Sequence, residues 1–442
     1  MRKILLAGTA LAGLVALAAP AQAELKMDLG GYFRGYGVWA DNDEPGTAAP
    51  GDDFREFDLR RNAELHATGE TTLDNGLTVG AHAELELGNN DLAAAGGTGT
   101  DEVYAYGSGG WGRVNLGAED GAAYLLQVAA PSADSNVDGL RTYVQALNPL
   151  DPVFVAPSVP GLPTTLVLDY DHVSDPTGSE ATDRISYMTP KFNAFQAGVS
   201  YAPETGMNAR ANNVAPMATD DNFGDYDQVW EAGVRWDGEF EGFGLSVGGG
   251  FSHADLEAAD TLVIAAITSA NAAPLVNDDL TQWNGGVNVA WQGFSLGGSF
   301  MRAETENLDA RDVAAGGLLG TGASDTLATI DVTKDTWTVG LGWDNGPYHL
   351  GGTWLKTEIE RDAVGVAADD GELAAIDADV ERFTVGGGYT YGPGMTFRGA
   401  VAWGEFDNST GAADAGQAGG FAGAAATNND FTQVTVGTDI QF

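Results

Sequence analysis

Arg34, Arg60, Arg113, Arg184, Arg235, Arg382 and Arg398 each stand on the polar side of a segment in which polar and apolar residues alternate. A guanidinium stays charged at any working pH, so it attracts, repels and orients without making bonds. His82 and His349 share these polar faces. With only 20 Lys and Arg against 63 Asp and Glu in the chain, so many bases on one kind of face form a pattern. Groups for covalent chemistry are sparse by comparison. There is no cysteine, and the five histidines are scattered one per segment. No G-x-S-x-G, H-E-x-x-H or Gly-rich phosphate loop stands at a strand–helix junction. The residues offer a fixed field, and an enzyme is not expected.

The elements that hold these charges read as strands. In 77–87, Leu77, Val79, Ala81, Ala83, Leu85 and Leu87 share one side, and Thr78, Gly80, His82, Glu84 and Glu86 the other. At 230–236, Trp230, Ala232, Val234 and Trp236 oppose Glu231, Gly233 and Arg235. The chain ends in FTQVTVGTDIQF, with Phe442, Ile440, Thr438, Val436 and Val434 opposite Gln441, Asp439, Gly437, Thr435 and Gln433. Period two marks half-buried strands, whose apolar faces must meet either a second sheet or lipid.

Residues 1–23 have the layout of a cleaved export signal: a basic MRK, an apolar core and Ala21-Gln22-Ala23. Residues 24–442 are then the folded unit. Loss of Arg2 and Lys3, with no acid, takes the formal net charge from −43 to −45. No other window approaches the length of apolar run that a membrane helix needs.

Tight junctions (107–112, 189–195, 237–243, 291–294, 344–348 and 391–395) alternate with long stretches rich in Asp, Asn, Ala and Gly. Short turns on one side and long loops on the other are the layout of an outer-membrane barrel. Both chain ends must lie on the short-turn side, so the strand count is even. That parity makes the strand-like 164–173 part of one long loop, 119–182, and gives 16 strands. An 18-stranded barrel, with an extra pair in this loop, is the competing count. Trp236, Trp291, Trp343, Tyr391 and Phe442 lie toward the short turns; Trp39, Tyr201, Trp283, Trp354 and Trp403 lie toward the long loops. Two such populations suggest two interfacial girdles. The expected fold is an all-β, transmembrane antiparallel β-barrel.

DEVYAYGSGGWGRVNLG (101–117) resembles the hairpin before the third loop of general Gram-negative outer-membrane porins. DRISYMTPKFNAFQAGVSYAP (183–203) resembles the hairpin after it, in the alphaproteobacterial type. The hairpins at 228–253 and 282–303 and the terminal aromatic fit the same pattern. The resemblance implies a homotrimer whose long third loop folds into the pore as a constriction. It also implies that Phe442, with Ile440, is the signal read by the outer-membrane assembly machinery. Across the lumen from the arginines, loop 119–182 offers Glu119, Asp120, Asp134, Asp138 and Asp151, and opposed charges there would order water transversely. The short Pro-Glu-Phe-Gly-Gly turn of enteric porins is absent, so the constricting stretch is not fixed.

The expectation is a general diffusion porin: a passive, water-filled channel for ions and small hydrophilic solutes, cation-preferring because of its charge. Alternatives are a substrate-selective channel on the same fold, for which Tyr32, Tyr36, Tyr104 and Tyr106 on the lumen face argue, or a plugged structural or adhesive barrel. The expected surroundings are outer-membrane lipid and lipopolysaccharide; no nucleic acid is expected. No cofactor is expected beyond Ca²⁺ at the external acidic loops. There DNDEPG (41–46) half-matches a calcium loop and Asp41, Asp43 and Asp52 would supply a weak site. A solvated acidic face is the simpler reading.

Overall fold

The computed structural model describes residues 24–42, 56–87, 98–133, 182–204, 226–256, 279–311, 327–365, 376–410 and 427–442. The strands are β1 (Lys26–Asn42), β2 (Phe57–Thr72), β3 (Thr78–Leu87), β4 (Thr98–Gly109), β5 (Gly112–Glu119), β6 (Thr182–Met188), β7 (Phe195–Glu204) and β8 (Tyr226–Phe240). They continue with β9 (Phe243–Leu256), β10 (Leu280–Trp291), β11 (Phe294–Arg311), β12 (Leu327–Asn345), β13 (Tyr348–Gly365), β14 (Ile376–Gly392), β15 (Met395–Thr410) and β16 (Thr427–Gln441). A single helical turn, α1 (Ala122–Leu125), follows β5.

Every strand pairs antiparallel with its neighbours in the chain, and β1 pairs with β16, closing a barrel of 16 strands. Closure satisfies every edge, which a lipid-embedded sheet requires. At the seam the Gly31 amide donates to the Phe442 carbonyl at 3.0 Å, and the Phe442 amide returns a bond to Gly31 at 3.1 Å. The terminal residue is therefore stitched into the wall. β5 pairs directly with β6, Glu119 opposite Thr182, which leaves no place there for the extra pair of an 18-stranded barrel. Residues 1–23 and 164–173 lie outside the described residues.

Turn chemistry sets the hairpins. Glu241-Gly242 (φ 50° and 85°) and Gln292-Gly293 (φ 49° and 86°) both take two positive φ values. That is a type I′ turn, whose twist matches the strands it joins. The faces sort as the alternation predicts. Leu59, Leu116, Val199, Leu296, Leu341 and Val436 are exposed on the outside, whereas Arg34, Glu231, Thr338, Arg382 and Asp439 are buried on the inside. Aromatics gather at both ends. Phe243–Trp291 and Tyr391–Phe397 stack beside short turns; Tyr201–Trp230 and Phe383–Trp403 sit toward the long connections.

Candidate functional site

The lumen wall is the candidate site, and its arginines are held from within the wall. Asp439 on β16 accepts a hydrogen bond from Tyr36 on β1 and pairs with Arg398 on β15. Arg34, its cross-strand partner on β1, comes within 4.0 Å. Arg34 also lies 4.2 Å from the ring centre of Tyr32. Three strands thus converge on one carboxylate at the closing seam. On the far side, Arg184 donates to Glu231 at 3.0 Å and to the Thr182 carbonyl at 3.2 Å. Arg235 donates to both oxygens of Asp237 at 2.9 Å and to the Gln127 carbonyl at 3.1 Å. Arg60 lies 3.5 Å from Asp58. Arg113 packs 3.9 Å from the Tyr106 ring centre and donates to Asn115, which in turn donates to Glu119. Arg382 is buried on the inner face of β14.

The first residues of the long connection lie against the inside of β7–β13. α1 starts where the Ala122 amide donates to Ser200 at 3.1 Å. The chain then runs around the wall until the Pro131 carbonyl accepts from Thr353 at 3.0 Å and the Ser132 carbonyl lies 3.1 Å from His349 Nε2. Six inter-strand gaps span roughly 29 Å, within the reach of thirteen residues at about 3.3 Å each. What lets it lie so close is glycine. At Gly233, Gly248, Gly250, Gly286, Gly340 and Gly351, a Cβ would run into residues 122–133. A Cβ on Gly233 would stand 2.5 Å from the Ala122 carbonyl, and one on Gly248 2.8 Å from that of Leu126. The glycines form a bed cut to the backbone of this segment.

The opposite stretch of wall is acidic and aromatic. Tyr32, His66, His82, Tyr104 and Tyr106 form a chain of edge and tilted ring contacts across β1–β4, with centroids 5.2–6.4 Å apart. Glu64, Glu70, Glu84 and Glu102 sit among them: Tyr32 donates to Glu64 at 2.5 Å and Tyr106 to Glu70 at 2.9 Å.

The structure corrects one sequence expectation about the loop acids. Glu119 belongs to β5, because its pairing with Thr182 carries the ladder one residue further than the polarity suggests. Its partner is Asn115 on its own strand. Asp120 follows immediately, with its amide 3.2 Å from Glu102. Asp134, Asp138 and Asp151 lie outside the described residues, as do Asp43 and Asp52. Asp41 is a residue of β1, opposite Thr432. The wall carboxylates Asp58 and Asp237 and the imidazole of His66 are missed by the sequence reading, and Asp439, placed on the polar face of the last strand, is given no arginine partner there. Hairpin arithmetic contains the signal for His66. Counting outward from the turn at Asp74-Asn75-Gly76 puts His66 opposite Glu84 and Thr68 opposite His82, as observed.

A family model of Gram-negative porins matches residues 8–410. The chain belongs to the Gram-negative porin family. Among solved structures, the anion-selective porin from Comamonas acidovorans is 17% identical, covering 95% of this porin and 100% of that chain at a TM-score of 0.55. A loop-deletion form of the outer-membrane protein OmpT from Vibrio cholerae is 10% identical, with 95% and 99% covered and a TM-score of 0.50. No curated protein sequence matches this porin. Family and fold together make the chain a non-enzymatic outer-membrane channel.

Proposed function

We propose that this porin is a passive, water-filled channel for ions and small hydrophilic solutes, and that it prefers cations. One observation carries the preference. Arg34 and Arg398 share Asp439, and Arg60, Arg184 and Arg235 each face a wall carboxylate of their own within 4.0 Å, whereas Glu64, Glu84, Glu102 and Glu119 gather on β2–β5, with Arg113 among them. The pairs at Arg60, Arg184 and Arg235 contribute little net field and the shared Asp439 leaves one positive charge, so the four glutamates of the acidic quadrant outweigh them in the potential that a permeating ion meets. The Comamonas protein, anion-selective on a similar fold, illustrates that the fold alone does not set the sign. A homotrimer in outer-membrane lipid, assembled through recognition of Phe442 and Ile440, belongs to the same proposal. Contact with lipopolysaccharide is supported by the outward collar of Arg302, Asp335, Lys356 and Glu358, which lies just beyond Trp337 and Trp354.

Liposome swelling tests permeation directly. Vesicles containing the refolded porin should swell in isotonic small sugars at rates falling smoothly with solute size. Equal, negligible rates for all solutes would contradict an open channel. The ring track across β1–β4 favours one further reading, selectivity for a class of solute. Rates that differ sharply between isomers of equal size would establish it.

A further inference from the structure

His66 on β2 stands directly opposite Glu84 on β3, and His82 lies two residues along β3 on the same lumen face. Their ligand atoms all lie within 4.8 Å of one another. His82 Nε2 is 2.8 Å and His66 Nδ1 3.4 Å from the same Glu84 oxygen. Around a tetrahedral zinc ion, ligand atoms stand about 3.3 Å apart, so side-chain rotation alone would bring the three onto one ion. The second nitrogen of each ring already has a partner of the kind that metal-bound imidazoles use. His66 Nε2 is 3.0 Å from Glu64, which is itself held by Tyr32. His82 Nδ1 is 2.7 Å from the Thr68 hydroxyl. A carboxylate and a hydroxyl in these places fix the rings so that Nδ1 of His66 and Nε2 of His82 point at the shared centre.

We propose that His66, His82 and Glu84 bind a borderline divalent transition-metal ion, Zn²⁺ by preference, in the pore wall, with Glu64 and Thr68 as positioning residues. Two imidazoles and one carboxylate suit Zn²⁺ and disfavour Ca²⁺ or Mg²⁺, which take oxygen. The ligands are part-exposed, with side-chain accessibilities of 31%, 16% and 18%, so a permeating ion reaches them from the lumen and water completes the coordination. Nearby Glu86, Glu102 and Asp101 raise the local concentration of cations. The bound ion would be a stop on the permeation path that reduces the acidic charge of the quadrant. That consequence rests on the open-channel reading; the binding does not.

Co²⁺ reports the site without any transport. Refolded, full-length porin in excess Ca²⁺, which occupies acidic oxygen sites, should take up one Co²⁺ per chain. It should show the strong visible bands of a low-coordinate ion, displaced by Zn²⁺. His66→Gln and His82→Gln should each abolish the bands, and Glu64→Gln should weaken binding roughly 10- to 100-fold. Only the faint spectrum of an octahedral ion in the wild type, or bands unchanged in both histidine variants, would overturn the site. Because the wild-type spectrum is itself decisive, a variant that fails to fold leaves the test intact. Porin that binds Co²⁺ yet passes no current would refute the open channel and retain the site. Porin that conducts without binding would refute the site alone.

Discussion

Asp439 shows how much a single residue can hold in a closed barrel. It takes the Tyr36 hydroxyl and two guanidiniums, Arg34 and Arg398, and the side chains of Asp439 and Arg398 are each only 4% exposed. Removing one charge from a buried pair strands the other and costs about 3–5 kcal/mol. Asp439→Asn should therefore lower the temperature at which the folded barrel loses its compact gel mobility, and slow refolding should accompany it. An unchanged transition would mean that the seam is held by its backbone ladder alone. Tyr36 and Asp439 are 403 positions apart. Alternation placed both on the inner face, but it carries no information about which inner-face residues meet. That is why the arginines were legible as lumen residues while most of their partners were not.

At the scale of elements, the strands were legible because each has one lipid-facing side, and period two survives even where glycine interrupts it. Parity then fixed the count, since β5 had to return through β6. The bed under residues 121–133 was not legible. A glycine in a strand carries no sign of what lies over it, and only the packed segment reveals why a side chain is excluded. Gly285 and Gly286 make a controlled pair on β10. A Cβ on Gly285 meets nothing nearer than 3.9 Å, whereas one on Gly286 would collide with the Val128 carbonyl. Gly286→Val should thus push the segment off the wall, change single-channel conductance and cost about 1–3 kcal/mol of stability. Gly285→Val should leave conductance as in the wild type. Equal effects from both, or none from Gly286→Val, would show that the segment does not shape the pore.

The whole molecule is an outer-membrane barrel whose wall divides its labour. β7–β13 present a glycine bed to the long connection, while β2–β5 gather carboxylates and aromatic rings. Neutralising the acidic quadrant with Glu84→Gln, Glu102→Gln and Glu119→Gln together should shift selectivity toward anions and leave the fold intact. A reversal potential indistinguishable from the wild type would place the selective charge elsewhere. The wild-type measurement decides most. Across a planar bilayer with a tenfold KCl gradient, the refolded porin should conduct and reverse at a potential whose sign reports K⁺ as the favoured ion. A reversal of opposite sign would contradict the charge argument, and no conductance from porin proven to be inserted would contradict the channel itself.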